Sequence, residues 1–155
     1  MMTLTTKKIN LFLLAKLPSA FLCGVRLRSI SDIQSKTSVK FKWINQNPFG
    51  SMFWAVQGMA AELATGALVM QKIQSSGKNI SMLVASNNAE FTKKAKGRIN
   101  FVCNDGEKLN ATIQKAIETG EGQVIVMKAV GTNDEGVQVS SFNFEWTLKV
   151  KSKKN

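Results

Sequence analysis

No histidine and no tyrosine occur in the 155 residues, cysteine and proline occur twice each, and only ten side chains are acidic. Without histidine there can be no Ser-His-Asp or Cys-His nucleophile pair, no HExxH zinc site and no histidine general base. Cys23 and Cys103 lie 80 positions apart with no CxxC partner, which excludes a structural zinc site. Any chemistry must therefore run on carboxylates, amides, hydroxyls and backbone groups, with no metal or redox cofactor implied. Hydrophobic residues at 44% and charged residues at 20% exclude a disordered tail. The length suits one ordinary domain or two very small ones.

Acids are scarce, but bases are not: 21 Lys and Arg give a formal net charge of +11. The first 50 residues hold eight of them (Lys7, Lys8, Lys16, Arg26, Arg28, Lys36, Lys40, Lys42) against Asp32 alone. Lys93, Lys94, Lys96 and Arg98 form a second cluster, and Lys149, Lys151, Lys153 and Lys154 a third. Three readings stand: a solvated basic surface, a site for a small phosphorylated ligand, or nucleic-acid binding. The last lacks any RRM, KH, zinc-finger or arginine-rich signature, and no nucleic-acid partner is expected.

Lys7-Lys8 followed by the apolar stretch 9–15 imitates a signal peptide, but Lys16 and Pro18 cut it short. Leu22 is too bulky for a lipobox before Cys23. The stretch reads as a short amphipathic helix over about 9–17 that packs on the domain. The two cysteines read as buried core thiols in a reducing compartment, and the expected location is the cytoplasm.

Period-two patterns follow. Val25, Leu27 and, after a slip, Ile30 suit a strand with one wet face, and Val39, Phe41 and Trp43 alternate with Lys40 and Lys42. Residues 45–50, Asn-Gln-Asn-Pro-Phe-Gly, then break the pattern. Residues 51–73 are rich in Ala, Met and Leu, with Ser51 placed as an N-cap, and predict a helix of roughly 35 Å. Its apolar residues run nearly all the way round, so it either spans a membrane or is enclosed by protein. Gln57 and Glu62 near its middle argue for enclosure, since an acid at a bilayer centre costs about 2.5–3.5 kcal/mol on insertion scales.

Strand patterns return over 80–91, 96–103, 123–130 and 137–150. Leu109, Ile113, Ala116 and Ile117 mark a half-exposed helix ended by Gly120. The last five residues read as a frayed basic tail. A single long helix apolar on every side calls for an antiparallel sheet to wrap it, and a second copy to finish covering it.

Asn47-Pro48-Phe49-Gly50-Ser51-Met52-Phe53-Trp54 leading into Ala61-Glu62-Leu63-Ala64-Thr65-Gly66 resembles the hotdog-fold thioesterase superfamily, in a small thioesterase-like branch. Members of its phenylacetate-pathway group carry an Asn, a Gly, a His-Gly-Gly at the helix start and an acid nine residues after the His. Asn47 and Gly50 match the first two and Glu62 the acid; Phe53 replaces the His, and Trp54-Ala55 the two glycines. The resemblance spans about residues 17–151. It implies an α+β hotdog domain over 1–155, in which a curved antiparallel sheet wraps one long helix (51–73), with two short helices besides and the tail 151–155.

It further implies acyl thioester (acyl-CoA-type) hydrolysis, with Glu62 and Asn47 as catalytic candidates. Gly50, Phe53, Trp54, Ala55 and Gln57 would contact substrate, the N–H groups of 53–55 would form an oxyanion site, and Lys94, Lys96 and Arg98 would meet the CoA phosphates. An apolar setting should raise the Glu62 pKa toward that of a neutral-pH base. Glu62 also reads as a structural carboxylate hydrogen-bonded across the dimer interface to Gln57, Asn47 or Thr65 of either chain. The implied partners are a small acyl thioester and a second or fourth copy of the chain, with no membrane span. A non-catalytic acyl-ligand binder or structural dimer on the same scaffold is the alternative, since Phe53 and Trp54 narrow the carbonyl site.

Overall fold

The computed structural model describes residues 4–151, so the tail beyond Lys151, with Lys153 and Lys154, lies outside the described residues. Helix α1 (Thr6–Lys16) starts at an N-cap where Thr5 Oγ1 accepts from Lys8 N at 3.3 Å. Pro18 then opens a second, unforeseen short helix α2 (Pro18–Leu22), because proline fits the first turn of a helix but not its interior. Ile9 and Leu13 bury the inner face of α1.

Six strands follow: β1 (Arg26–Ile30), β2 (Ser35–Lys40), β3 (Ile80–Phe91), β4 (Arg98–Cys103), β5 (Gln123–Thr132) and β6 (Gln138–Val150). They form one antiparallel sheet in the order β1-β2-β4-β5-β6-β3. The slip expected in the first strand is a bulge between Leu27 and Ser29. Asn10 of α1 stands in for a neighbouring strand there, donating to Leu27 O at 3.0 Å and accepting from Leu27 N at 2.9 Å.

The expected strand through Trp43 ends early. The buried Asn45 amide takes Lys40 O at 2.9 Å and Lys42 N at 2.8 Å, pulling the chain into a 3₁₀ turn, Trp43–Asn45, that leaves Trp43 exposed. Helix α4 (Gly106–Thr119) buries Leu109, Ile113 and Ala116 and ends at left-handed Gly120, as its periodicity predicts.

The central helix α3 runs Trp54–Ser76 and stops at Gly77, whose φ of +64° suits a residue without a Cβ. It begins three residues later than expected, and Ser51 is not its cap. Met52 N pairs with Ala95 O and Phe53 N with Asn45 O, which keeps the backbone extended up to Phe53. Against α3 lie the inward residues of the sheet, among them Ile99, Phe101, Met127, Phe142, Trp146 and Leu148. Each such fully buried side chain contributes about 1.5–3 kcal/mol. Thr37 Oγ1 of β2 donates to Ala60 O at 2.6 Å, a buried polar tie between sheet and helix. One long helix against a six-stranded antiparallel sheet is the hotdog arrangement. Among the described residues no helix is long and apolar enough to cross a membrane.

Candidate active site

The turn before α3 is set by two asparagines. Asn45 donates to Cys23 O and Lys40 O, both at 2.9 Å, and its own carbonyl accepts from Phe53 N at 2.8 Å. Asn47 Oδ1 accepts from Phe49 N at 2.9 Å and Ser51 N at 3.2 Å, while Nδ2 donates to Ser51 Oγ at 3.0 Å. That is the turn chemistry of an Asx residue before proline, completed by Gly50 at φ +71°. The Asn47 amide is thereby engaged in holding its own loop.

The helix start is open. Phe53 N is taken by Asn45, so the oxyanion donors expected over 53–55 reduce to two: among the described residues no acceptor meets the N–H groups of Trp54 and Ala55. These are orphan donors of an N-terminal turn, where the helix dipole favours negative charge. The Phe53 and Trp54 rings, in edge-to-face contact at 6.0 Å, both reach solvent beside that turn.

Glu62 lies two turns further along, on the strip of α3 that the sheet leaves partly uncovered: Ala55, Met59, Glu62 and Met70. Burial raises its carboxyl pKa above the ordinary value, as the apolar setting predicts. Among the described residues its carboxylate has no hydrogen-bond or ion-pair partner, so within one chain no tie joins it to the Gln57, Asn47 or Thr65 side chains. Gln57 instead accepts from Ser140 Oγ at 2.8 Å, and Thr65 Oγ1 donates to the Glu62 carbonyl at 3.0 Å.

Glu62 borders two clefts. One, of about 340 Å³, is also lined by Trp54, Ala55, Gly58, Met59 and Phe144. The other, of about 390 Å³, is apolar, with Phe12, Gly66, Met70, Leu83 and Trp146 among its walls. A third cleft of about 380 Å³ lies on the far side of Trp54 and gathers Asn47, Gln57, Lys93 and Lys94. The structure thus places the two catalytic candidates in different clefts, with Trp54 lining both. Lys94 Nζ also donates to Phe49 O at 3.2 Å. Lys96 and Arg98, nearby in sequence, do not line that cleft; Lys96 is exposed and Arg98 opens β4.

Residues that the sequence did not single out complete the site. Asn45 sets the helix start, and Phe91 and Thr92 join Lys93 of the basic cluster in walling the third cleft. Buried Trp146 donates to Thr65 Oγ1 at 3.0 Å and holds α3 in rotation. The break in the strand pattern that opens at residue 45 was the one sequence signal for the first of these; the rest follow from strand pairing. Burial also pushes the Cys103 thiol up to about 12. Among the described residues no three His, Cys, Asp or Glu side chains gather into a group able to hold a metal ion.

Residues 5–148 match the family described as a domain of unknown function, DUF4442. No curated protein matches the chain. A Pseudomonas aeruginosa protein of unknown function, described as a probable thioesterase, is 22% identical with a TM-score of 0.82, over 97% of this chain and 99% of that one. A Chlorobaculum tepidum protein of unknown function is 21% identical with a TM-score of 0.81, over 94% of each chain. A thioesterase of Haemophilus influenzae is 12% identical with a TM-score of 0.70, over 99% of this chain and 97% of that one. At these identities the likeness is one of fold.

Proposed function

The chain belongs to the DUF4442 family, and from that premise we propose that it hydrolyses acyl thioesters of the acyl-CoA type, with Glu62 activating water and the start of α3 holding the carbonyl. The observation that carries this reading is that Glu62 and the open N-terminal turn line one cleft. Seven residues separate Ala55 from Glu62, about 10 Å along the axis, and a helical side chain leans back toward the N-terminus. The remaining gap suits a water on the carboxylate and a carbonyl oxygen on the Trp54 and Ala55 N–H groups. A carboxyl with raised pKa is matched to base work near neutral pH, and donors fixed in advance stabilise the oxyanion. The fold neighbours described as thioesterases support the reaction class.

In this reading the apolar cleft toward Met70 takes the acyl chain. The Lys93–Lys94 cleft meets the phosphates, Lys96 and Arg98 add field beside it, and Gly50 and Asn47 keep the loop shaped. The working unit is a homodimer or homotetramer: β3 is a free sheet edge of 12 residues, and the uncovered strip of α3 still offers apolar surface. The free thiols of Cys23 and Cys103 suit the cytoplasm.

Thiol release from a panel of acyl-CoAs, acetyl to palmitoyl and aromatic, tests the reading. Turnover that falls about 10²-fold or more in Glu62→Gln is the expected result. Charge reversal at Lys94 and Lys96 should raise KM and spare kcat. The second reading, a non-catalytic acyl binder, is favoured because among the described residues no group orients the Glu62 carboxylate. Saturable acyl-CoA binding without turnover selects it.

A further inference from the structure

Two stretches of the chain, residues 33–61 and 91–104, contain no Asp or Glu, yet hold Lys36, Lys40, Lys42, Lys93, Lys94, Lys96 and Arg98. The fold brings them onto one side. Lys40 pairs opposite Arg98, Phe41 N donates to Gly97 O at 2.7 Å, and Met52 N donates to Ala95 O at 2.9 Å. Out of this acid-free region stand three large apolar side chains: Trp43 at 82% exposure, Phe49 at 75% and Ile44 at 51%. Phe53 and Trp54, next along the chain, are exposed as well. Isolated exposed apolar residues need no explanation, but a group of them does. They are held outward by built turns, since the Asn45 and Asn47 amides fix the loops that carry them.

We propose that this face docks the protein on the surface of an anionic lipid bilayer. A second copy is a poor occupant, because a two-fold contact would set one cationic, acid-free surface against another. An acidic protein helix calls for an apolar groove to lie in. Here Trp43, Ile44 and Phe49 project from a 3₁₀ turn and a loop tip. Projecting aromatic and aliphatic side chains ringed by lysines match the headgroup layer: the rings enter the acyl boundary and the ammonium tips stay with the lipid phosphates. The Lys93–Lys94 cleft is walled by Trp54 of this same face, so an amphiphile would arrive at it from the lipid surface. The inference stands apart from turnover and holds whether or not the chain is a hydrolase.

Vesicle flotation of the full chain is the test, with phosphatidylcholine vesicles compared with vesicles one-quarter phosphatidylglycerol. The expected result is flotation with the anionic vesicles alone and a blue shift of indole emission. Binding should fall about tenfold or more in Trp43→Ser/Phe49→Ser, in Lys40→Glu/Lys42→Glu, and on raising salt from about 0.1 to 0.5 M. Thermal melts and sedimentation of both double variants, matching the parent, show that fold and assembly are kept. Flotation with neither vesicle, equal flotation with both, or undiminished binding by the double variants overturns the proposal. A changed oligomeric state in the variants, or capture of an acidic carrier protein without flotation, overturns it as well.

Discussion

Trp146 Nε1 on β6 donates to Thr65 Oγ1 on α3 at 3.0 Å, with both residues buried. The next residue, Gly66, makes room for the ring: a Cβ there would stand 3.3 Å from the indole. The pair fixes the rotation of α3 about its axis, and that rotation turns Glu62 toward the uncovered strip. Thr65→Val keeps the volume but leaves a buried indole N–H without an acceptor. It should cost about 1–3 kcal/mol in chemical denaturation. Acyl-CoA turnover should fall with it, whereas Thr65→Ser, which keeps the acceptor, should retain most of both. A Thr65→Val protein as stable as the parent would show that packing alone sets the rotation.

Burial raises the Glu62 pKa, and the sign of its effect on stability follows. The folded state holds this proton more tightly than the unfolded chain, so stability is lost as pH climbs from the unfolded value through the folded one. Glu62→Gln cannot ionise. Its melting temperature should exceed the parent's at pH 8 and converge on it near pH 4. Parallel curves across that range would mean that the carboxylate finds a partner in solution.

Asn10 meets both backbone groups of Leu27 on the outer side of β1, the edge strand of the sheet. Asn10→Ala should cost about 1–3 kcal/mol and speed hydrogen exchange at the Leu27 amide. An unchanged exchange rate at that amide would place its protection elsewhere.

Two glycines should separate sharply. A Cβ on Gly106 would sit 2.3 Å from the Asp32 carbonyl oxygen, and neither backbone can yield easily while Gly106 N donates to Ile33 O at 3.1 Å. A Cβ on Gly131 would meet the buried Phe101 ring at 2.5 Å, and a ring can repack by a smaller shift than a backbone carbonyl held on both sides. Gly131→Ala should lose about 1–3 kcal/mol and Gly106→Ala more. Urea denaturation of the two variants ranks them, and the reverse order would contradict the geometry.

Much of this was legible in the order of residue types. Leu109, Ile113 and Ala116 wrote the buried face of α4, the run from Val56 to Met70 wrote an enclosed helix, and Phe142, Phe144, Trp146 and Leu148 wrote β6 by alternation. β2 was not legible: Ser35, Lys36, Thr37 and Ser38 have no apolar period, and they are a strand because β1 and β4 flank them on both sides. Trp43 misled for the complementary reason, since its alternation continued past the point where the Asn45 amide turns the chain.

The sequence by itself determined the central helix, α4 and the strands that alternate in residue type, that one helix must be enclosed, that no histidine chemistry is available, and which acid in that helix is worth watching. Those properties are local, written in periodicity and residue type. The tertiary structure decided where α3 starts, which N–H groups stay open there, and that Asn47 and Glu62 fall on opposite sides of Trp54. It also decided that two acid-free stretches, 33–61 and 91–104, share one surface. These depend on backbone hydrogen bonds between distant segments, such as Phe53 to Asn45 and Met52 to Ala95, whose partners no local pattern names.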